Sequence, residues 1–134
     1  MIHLDTTFTI DLLREARRGE EGPATRLLAS LDLEAVYISL FVQCELLVGA
    51  ELSQRTEQAK EEILGLCSRM RTVYPDERLP PAYAGCLSSL TRSGRLIETM
   101  DVLIGTLAVI DGAPLVTRNL KHFKRIPDLE ILSY

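Results

Sequence analysis

Apolar positions recur along the chain with two different periods. Short runs rich in β-branched and aromatic residues are typical of buried strands, and between them apolar residues return every three or four positions, as on one face of a helix. The predicted strands are MIHL, AVYIS, TVYP, PLVT and LEIL. The predicted helices are TTFTIDLLREARR, PATRLLASL, LFVQCELLVGAEL, residues 54–70, PPAYAGCLSSLTRSG, DVLIGTLAVI and NLKHFKRI.

Two of these helices are predicted from different signals: the spacing of apolar residues in one, and the flanking cap and stop residues in the other. In residues 54–70 the apolar positions share one face of a helix, and they are Ala59, Ile63, Leu66, Cys67 and Met70. DVLIGTLAVI is apolar almost throughout, as a buried strand would also be. Thr99 suits a helix cap and Gly112 suits a helix stop, and the length between them favours a helix.

The order of the elements predicts the fold class. Alternation of strands and helices indicates an α/β fold with a central parallel sheet of four to five strands, flanked by helices and joined by right-handed crossovers. Residues that suit helix N-caps precede several of the helices: Thr6 or Thr7, Ser39, Thr99 and Asn119. We expect residues 1–134 to form a single domain.

The composition narrows the classes of protein that fit. Apolar residues make up 46% and charged residues 25% of the 134 positions, an ordinary globular balance. No apolar run approaches the ~20 residues of a membrane span, and the N-terminus lacks the pattern of a signal peptide, so we expect a cytoplasmic protein without a membrane partner. Cys44, Cys67 and Cys86 show no CxxC spacing, and we expect reduced, buried thiols.

The net charge of −4 argues against non-specific binding of nucleic acid, which needs a basic surface. It does not exclude an enzyme that binds phosphate through metal ions held by its own carboxylates. The placement of the acids along the chain therefore matters more than their sum.

Acidic and hydroxyl residues follow the predicted strands at the edge where ligands of parallel sheets bind. Asp5 comes after MIHL, Ser39 ends AVYIS, and Thr117 with Asn119 ends PLVT. Two further acids enter apolar surroundings: Glu45 inside FVQCELLV, and Asp101 at the start of the most apolar helix. Convergence of three carboxylates is costly unless cations compensate, and oxygen ligands favour Mg²⁺ or Mn²⁺ over zinc.

Each acid also has an ordinary structural interpretation. Asp5 could cap the first helix, Glu45 could be solvated on an amphipathic helix, and Asp101 could be the favourable acid of a first helical turn. His3, within the first strand, is expected to be packed or at an edge rather than a ligand. Charges that enter apolar surroundings are expensive, and this favours a functional role for Glu45 and Asp101.

Four segments together resemble the PIN-domain family, and within it the VapC-type ribonuclease toxins. They are HLDTT, ISLFVQCELLVGA, DVLIGTLAV and LVTRNLKHF, and they stand in the family's order at about its separations. The resemblance covers nearly the whole chain. It implies a three-layer PIN-like fold and a Mg²⁺-dependent endoribonuclease, for which Mn²⁺ is the other candidate ion.

The same resemblance implies roles for individual residues and for partners. Asp5, Glu45 and Asp101 match the catalytic, metal-binding acids. Hydroxyl positions that often line the site are matched by Thr6, Ser39 and Thr117. The family also implies a homodimer, and its toxin branch implies a cognate antitoxin that blocks the site. Hydrolysis of RNA by a metal-activated water would leave 5′-phosphate and 3′-hydroxyl ends.

The chain departs from the family pattern after PLVT. Many PIN domains carry a fourth acid there, whereas this chain has TRNLKHF. Asn119 can offer a carbonyl oxygen or position a water, His122 is expected to pack or cap, and Glu98 is a less favoured substitute for the acid. The sequence leaves the number of metal ions open. It also leaves open the alternative that the chain is a degenerate PIN domain that binds RNA or a partner without cleavage.

An acidic protein needs local basic groups to hold RNA. Two clusters are candidates for RNA contact: Arg14, Arg17 and Arg18 near the end of the first helix, and Arg118, Lys121, Lys124 and Arg125 after PLVT. For both clusters the alternative is an ordinary solvated surface. The RNA that is cut cannot be read from any local motif.

A second class of enzyme begins with a similar motif. DTTFT resembles the D-x-D-x-T start of haloacid-dehalogenase-type phosphatases, in which the first Asp is a nucleophile. Here Thr7 stands where the second Asp would, and no clear pattern of a Lys with an acid pair follows. The metal-dependent nuclease is therefore the favoured hypothesis.

Overall fold

Five parallel strands form one sheet in the order β3-β2-β1-β4-β5. The computed structural model describes residues 1–134. The strands are β1 Ile2–Leu4, β2 Val36–Ser39, β3 Arg71–Val73, β4 Leu115–Val116 and β5 Ile131–Leu132. β1 lies in the centre, with His3 opposite Tyr37 on one side and Leu115 on the other. The predicted α/β fold with a central parallel sheet is confirmed.

Seven helices flank this sheet. They are α1 Thr6–Arg18, α2 Pro23–Ser30, α3 Leu40–Glu51, α4 Thr56–Cys67, α5 Leu79–Arg92, α6 Thr99–Ile110 and α7 Leu120–Phe123. α4 is shorter than the predicted residues 54–70, but its face is the predicted one, because Ala59 and Ile63 are buried and Met70 packs against the same core. None of the helices combines the length and apolar composition that a membrane crossing requires.

The predicted cap is correct at α3 and wrong at α1. The Ser39 hydroxyl accepts a hydrogen bond from the Val42 N–H at 3.2 Å and caps α3, as predicted. Thr6 and Thr7 are not caps, because α1 begins at Thr6 and both hydroxyls bond acids elsewhere. Asp5 occupies the N-cap position of α1, but its carboxylate makes no capping bond.

Two further predicted caps differ in detail. Thr99 is the first residue of α6, and the N-cap position belongs to Glu98, which makes no side-chain capping bond. Asn119 stands at the N-cap of α7, but its side chain turns to Asp101 and His122 instead. At α1 and α7 the polar side chains beside the carboxyl edge of the sheet therefore bond one another rather than the free N–H groups of the helices.

Helix α6 runs through the centre of the molecule. Val102, Ile104 and Ala108 are almost fully buried, so the predicted apolar helix is confirmed over the predicted strand alternative. Gly105 lets this helix approach its neighbours closely, because a Cβ atom built on it would lie 2.2 Å from Cδ1 of Ile126. This close packing fixes the first turn of α6, which carries Asp101.

The cysteines are only partly as predicted. None of the three forms a disulfide, which agrees with reduced thiols. Cys67 and Cys86 are half-buried, and burial raises the pKa of each thiol. Cys44 is exposed, so the prediction of a buried residue is wrong there: it lies beside Glu45 on the face of α3 that turns away from the buried Val42 and Leu46.

The strand order reverses at β1, because the chain adds β2 and β3 on one side and β4 and β5 on the other. Open parallel sheets bind ligands at such a point, beyond the carboxyl ends of the strands. Asp5, Ser39 and Thr117 directly follow or end the three central strands and are all buried. The fold therefore gathers these residues at one edge, as predicted.

Candidate active site

Asp5 is the most enclosed acid of the molecule, with 2% of its surface exposed. Its Oδ2 accepts hydrogen bonds from the hydroxyls of Thr7 at 2.8 Å and Thr117 at 2.7 Å. Neither donor carries a charge, and no Lys, Arg or His side chain forms a salt bridge with Asp5. Both hydroxyls bond the same oxygen, so Oδ1 accepts no hydrogen bond from the protein.

Glu45 approaches the same edge from the second turn of α3. Its Oε2 accepts a hydrogen bond from the hydroxyl of Thr6, the residue that directly follows Asp5. Glu45 has no basic partner and is half-buried. The hydrogen bond shows that α3 and the start of α1 are in contact here, although the two residues lie 39 positions apart in the chain.

Asp101 lies in the first turn of α6 and contacts the start of α7. Nδ1 of His122 is 2.7 Å from its Oδ2, and Nδ2 of Asn119 is 3.5 Å from the same oxygen. Asn119 is in turn 3.0 Å from Nδ1 of His122. The expectation that His122 packs or caps is wrong: the ring points to the carboxylate because α7 begins three residues after Thr117, beside Asp101.

The acids influence one another electrostatically. Burial raises the pKa of the Asp101 carboxyl above its ordinary value, the hydrogen bond from His122 opposes this, and the charges of Asp5 and Glu98 add to it. Burial likewise raises the pKa of Glu45, and the charges of Asp101, Asp5 and Glu98 add to that effect. Glu98 is thus near enough to act through its charge, but it makes no hydrogen bond to the other acids.

The chemistry of these donors fits a hard divalent cation. Three carboxylates share one edge, only Asp101 has a basic partner, and the donors are oxygen atoms. As they are placed, no group of three or more His, Cys, Asp or Glu side chains is close enough together to hold one ion. A shared ion therefore requires these carboxylates to move closer together than they lie in the structure. The metal assignment stays a prediction.

The predicted polar neighbours divide into two groups. Thr6, Thr117 and Asn119 each bond one of the three acids. Ser39 is buried at the same edge, but its hydroxyl caps α3 and bonds none of the acids. Ser39 therefore places the helix that carries Glu45.

Thr7 and His122 were not predicted as partners of the acids. Thr7 was expected as a cap, and nothing in DTT shows which of the two hydroxyls faces Asp5. His122 lies three positions after Asn119, so the two side chains share one face of α7. This spacing was the sequence signal that could have placed His122 at the site.

The predicted basic clusters are rearranged in the structure. Arg17 pairs with Glu62 of α4 at 2.6 Å, whereas Arg14 and Arg18 line a surface pocket with Arg118, and Arg14 also lines a groove with Arg17. Arg125 donates to the Leu96 carbonyl at 2.9 Å and holds a loop. Lys121 and Lys124 are exposed and have no acidic partner.

The sequence has clear relatives among known proteins. Residues 2–129 match the family described as the PIN domain. A protein of Haemophilus influenzae named ribonuclease VapC1 is 32% identical over 127 residues, which cover 95% of this chain and 92% of that protein. A tRNA(fMet)-specific endonuclease VapC of Salmonella typhimurium is 29% identical over 102 residues, which cover 76% and 77% of the two chains.

The fold has matches among solved structures. The structure of VapBC2 from Rickettsia felis bound to a DNA fragment from their promoter superposes with a TM-score of 0.88 at 26% identity. The alignment covers 100% of this chain and 99% of that one. The architecture described above is therefore shared over its full length with that protein.

Proposed function

The chain belongs to the PIN-domain family, in its VapC-type branch, and from that premise we propose that it is a metal-dependent endoribonuclease inhibited by a cognate antitoxin. One observation carries the proposal: Asp5 is almost fully buried, receives only uncharged donors, and lies at the edge that Glu45 and Asp101 also reach. A buried carboxylate without a cationic partner is costly, and a bound cation removes that cost.

Asp5, Glu45 and Asp101 are proposed to hold Mg²⁺, with Mn²⁺ as the alternative ion. The ion supplies Lewis acidity that makes hydrolysis of a phosphodiester by water possible near neutral pH. Thr7 and Thr117 fix the Asp5 carboxylate through Oδ2 and leave Oδ1 for the ion. His122 and Asn119 orient Asp101 in the same way, and Thr6 orients Glu45.

The test is cleavage of a defined set of RNAs that includes transfer and ribosomal RNAs, with and without Mg²⁺. Transfer RNA belongs in the set because the relative from Salmonella typhimurium is named for that substrate. We expect cleavage only with the divalent ion, and fragments with 5′-phosphate and 3′-hydroxyl ends. Asp5→Asn should abolish cleavage, and cutting at the wild-type rate by a folded Asp5→Asn protein contradicts the proposal.

A second candidate function is a degenerate PIN domain that binds RNA or a partner without cleavage. Two observations favour it: His122 and Asn119 stand where many PIN domains have a fourth acid, and no three acids are close enough to share an ion. Calorimetry with Mg²⁺ separates the candidates. Binding by the wild type that is lost in Asp101→Ala supports the nuclease, and no binding by either protein supports the scaffold.

The antitoxin is proposed to cover the site along a groove beside Glu45. This groove has a volume of about 210 Å³ and is lined by apolar side chains of α1, α3 and α4, among them Ile10, Leu13 and Leu46. Gly49 also lines it, and a Cβ atom there would meet open space. Gly49→Lys should therefore fill the groove and prevent co-purification with the antitoxin. Gly85→Lys, on an equally open position of α5, is the matched control.

A homodimer is proposed from the family resemblance and from the apolar side chains that α3 exposes. Val48 is 58% exposed and its neighbour in space and sequence, Leu52, is 83% exposed. Large apolar side chains that are exposed together mark interfaces more often than free surfaces. Light scattering should give a dimer for the wild type and a monomer for Leu52→Lys. We further propose that residues 1–134 act as one domain in the cytoplasm.

A further inference from the structure

A surface pocket next to the candidate active site brings together arginines that are far apart in the sequence. It has a volume of about 370 Å³, and its basic residues are Arg14 and Arg18 from α1 and Arg118 from the turn after β4. All three side chains are exposed. We call it the arginine pocket and propose that it binds a backbone phosphate of single-stranded RNA, which rests on the function proposed above.

The acids of this pocket are already engaged with protein groups. Asp11 accepts a hydrogen bond from the hydroxyl of Tyr134 at 2.7 Å and pairs with Arg118 at 3.0 Å. Glu15 also lines the pocket, and its carboxylate accepts hydrogen bonds from the N–H groups of Ala24 and Thr25, at the start of α2. Both acids therefore make their bonds within the protein, and of the three arginines only Arg18 has no acidic partner.

The guanidinium groups also differ in how firmly they are held. Arg118 is fixed by Asp11, and Asp11 is fixed in turn by Tyr134, whose ring packs edge-on against Phe8 with centroids 4.8 Å apart. Arg14 lies 3.7 Å from Asp11 and Arg18 forms no ion pair. One ordered and two adaptable arginines can bind a phosphate with several charge-assisted hydrogen bonds.

A short chain of hydrogen bonds connects the pocket to the acids. The backbone N–H of Arg118 donates to the hydroxyl of Thr7 at 3.3 Å, and that hydroxyl donates to Asp5. Only Thr7 and one peptide group thus separate the pocket from the Asp5 carboxylate. A phosphate in the arginine pocket would belong to the same RNA strand as the nucleotide that is cut, and its binding there would hold RNA on an acidic protein.

The test measures binding without cleavage. A short fluorescein-labelled single-stranded RNA is titrated in EDTA, and its anisotropy is followed at several salt concentrations. We expect Arg14→Ala with Arg18→Ala to weaken binding about tenfold or more. The slope of log K against log salt should fall by about 0.7 for each phosphate contact that is lost. Arg118→Ala is not the primary variant, because it also frees Asp11.

Arg92→Ala is the matched control, because Arg92 is exposed on α5 and forms no ion pair. It should bind RNA as the wild type does, and all variants should melt within a few degrees of it. The proposal is overturned if the double variant has the same RNA affinity and salt slope as the wild type. It is also overturned if Arg92→Ala loses as much RNA affinity as the double variant does.

A parallel cleavage assay with Mg²⁺ distinguishes this proposal from the proposed function. RNA binding that depends on Arg14 and Arg18 in a protein that does not cut supports the pocket and rejects the nuclease. Cleavage by a wild type whose RNA binding does not depend on these arginines supports the nuclease and rejects the pocket.

Discussion

Helix α6 carries a histidine–aspartate pair at each end, and the two pairs serve different purposes. At its first turn Asp101 lies 2.7 Å from His122, and just after its last turn Asp111 lies 2.8 Å from His3. The His3 side chain is 1% exposed, whereas that of His122 is 31% exposed. His3 belongs to the central strand, its partner Asp111 also lies 3.8 Å from Arg78, and the N-terminal amino group acts on His3 through its charge.

The contact between the two residues is nearly the same in both pairs, so the surroundings make the difference. Burial lowers the pKa of His3 below its ordinary value, against the hydrogen bond and charge of Asp111, which oppose this. Burial raises the pKa of Asp101 above its ordinary value, and the charges of the neighbouring carboxylates Asp5 and Glu98 add to this. A closed pair with one acid stabilises the fold, and an open pair among several acids is suited to chemistry.

The largest difference between the pairs should appear in catalysis. Asp101→Asn removes a proposed ligand, and we expect RNA cleavage to fall about a thousandfold or more, since several kcal/mol of transition-state stabilisation are lost. Asp111→Asn, at the other end of the same helix, should stay within a few fold of the wild type. Gel assays under single-turnover conditions measure both, and equal losses would remove the distinction.

The second expected effect concerns the affinity for the metal ion. His122→Ala leaves Asp101 without its orienting partner, and partners of this kind are worth about 10- to 100-fold in metal affinity. Calorimetry with Mn²⁺ on the wild type, His122→Ala and His122→Asn measures it, and the Asn variant should keep part of the affinity. Tighter binding by His122→Ala would show that the ring competes with the ion instead.

The third expected effect is on stability, and it should be larger for the His3–Asp111 pair than for the His122–Asp101 pair. Asp111→Ala leaves the ring of His3 buried without its hydrogen-bond partner, which should lower the free energy of unfolding by about 2 kcal/mol. His122→Ala in EDTA should lower it by less than about 1 kcal/mol, since that ring is partly solvated. Urea denaturation followed by circular dichroism compares them. A larger loss for His122→Ala would reverse the assignment of the two pairs.

The smallest expected effect is the dependence of stability on pH. His3 has a lowered pKa in the folded state, so the unfolded chain takes up the proton first as the pH falls. Its contribution to stability is complete above the ordinary pKa near 6.5 and is lost as the pH falls from there through the lowered folded-state pKa. His3→Gln should remove this part of the pH dependence in urea titrations.

Asp101, at the carboxyl edge, should change stability with pH in the opposite direction to His3 in the same urea titrations. Because the pKa of Asp101 is raised, the folded state keeps its proton to higher pH than the unfolded chain does. Its contribution therefore falls as the pH rises from the ordinary range of an Asp through the raised folded-state pKa. Without divalent ions, Asp101→Asn should gain stability relative to the wild type across that interval, and a relative loss there would contradict the sign.

The sequence predicted the fold and the acids of the edge for the same reason. Asp5 and Thr117 come directly after short apolar strands, and parallel strands bring such positions together whatever the details of packing. Glu45 and Asp101 were found because they interrupt apolar helices. These are properties of neighbouring residues, and a single chain displays them without any knowledge of long-range contacts.

The partners of the acids could not be predicted in the same way. The hydroxyls of Thr6 and Thr7 bond different acids, and only the placement of α3 decides which hydroxyl meets Glu45. Arg14, Arg17 and Arg18 look like one cluster in the sequence, yet Arg17 turns to α4. Such choices depend on helix rotation and on segments more than twenty residues away, which local patterns do not encode.

The position of β1 in the middle of the sheet has a consequence for biosynthesis. β1 is synthesised before β4, its partner in the sheet, and the N–H of Asp5 donates to the carbonyl of Val116 at 3.0 Å. Asp5 and Thr117 are 112 positions apart in the chain, and contacts between such distant segments form late. During synthesis Asp5 is therefore without Thr117 beside it until the segment that contains β4 has been made, and the carboxyl edge is completed late in folding.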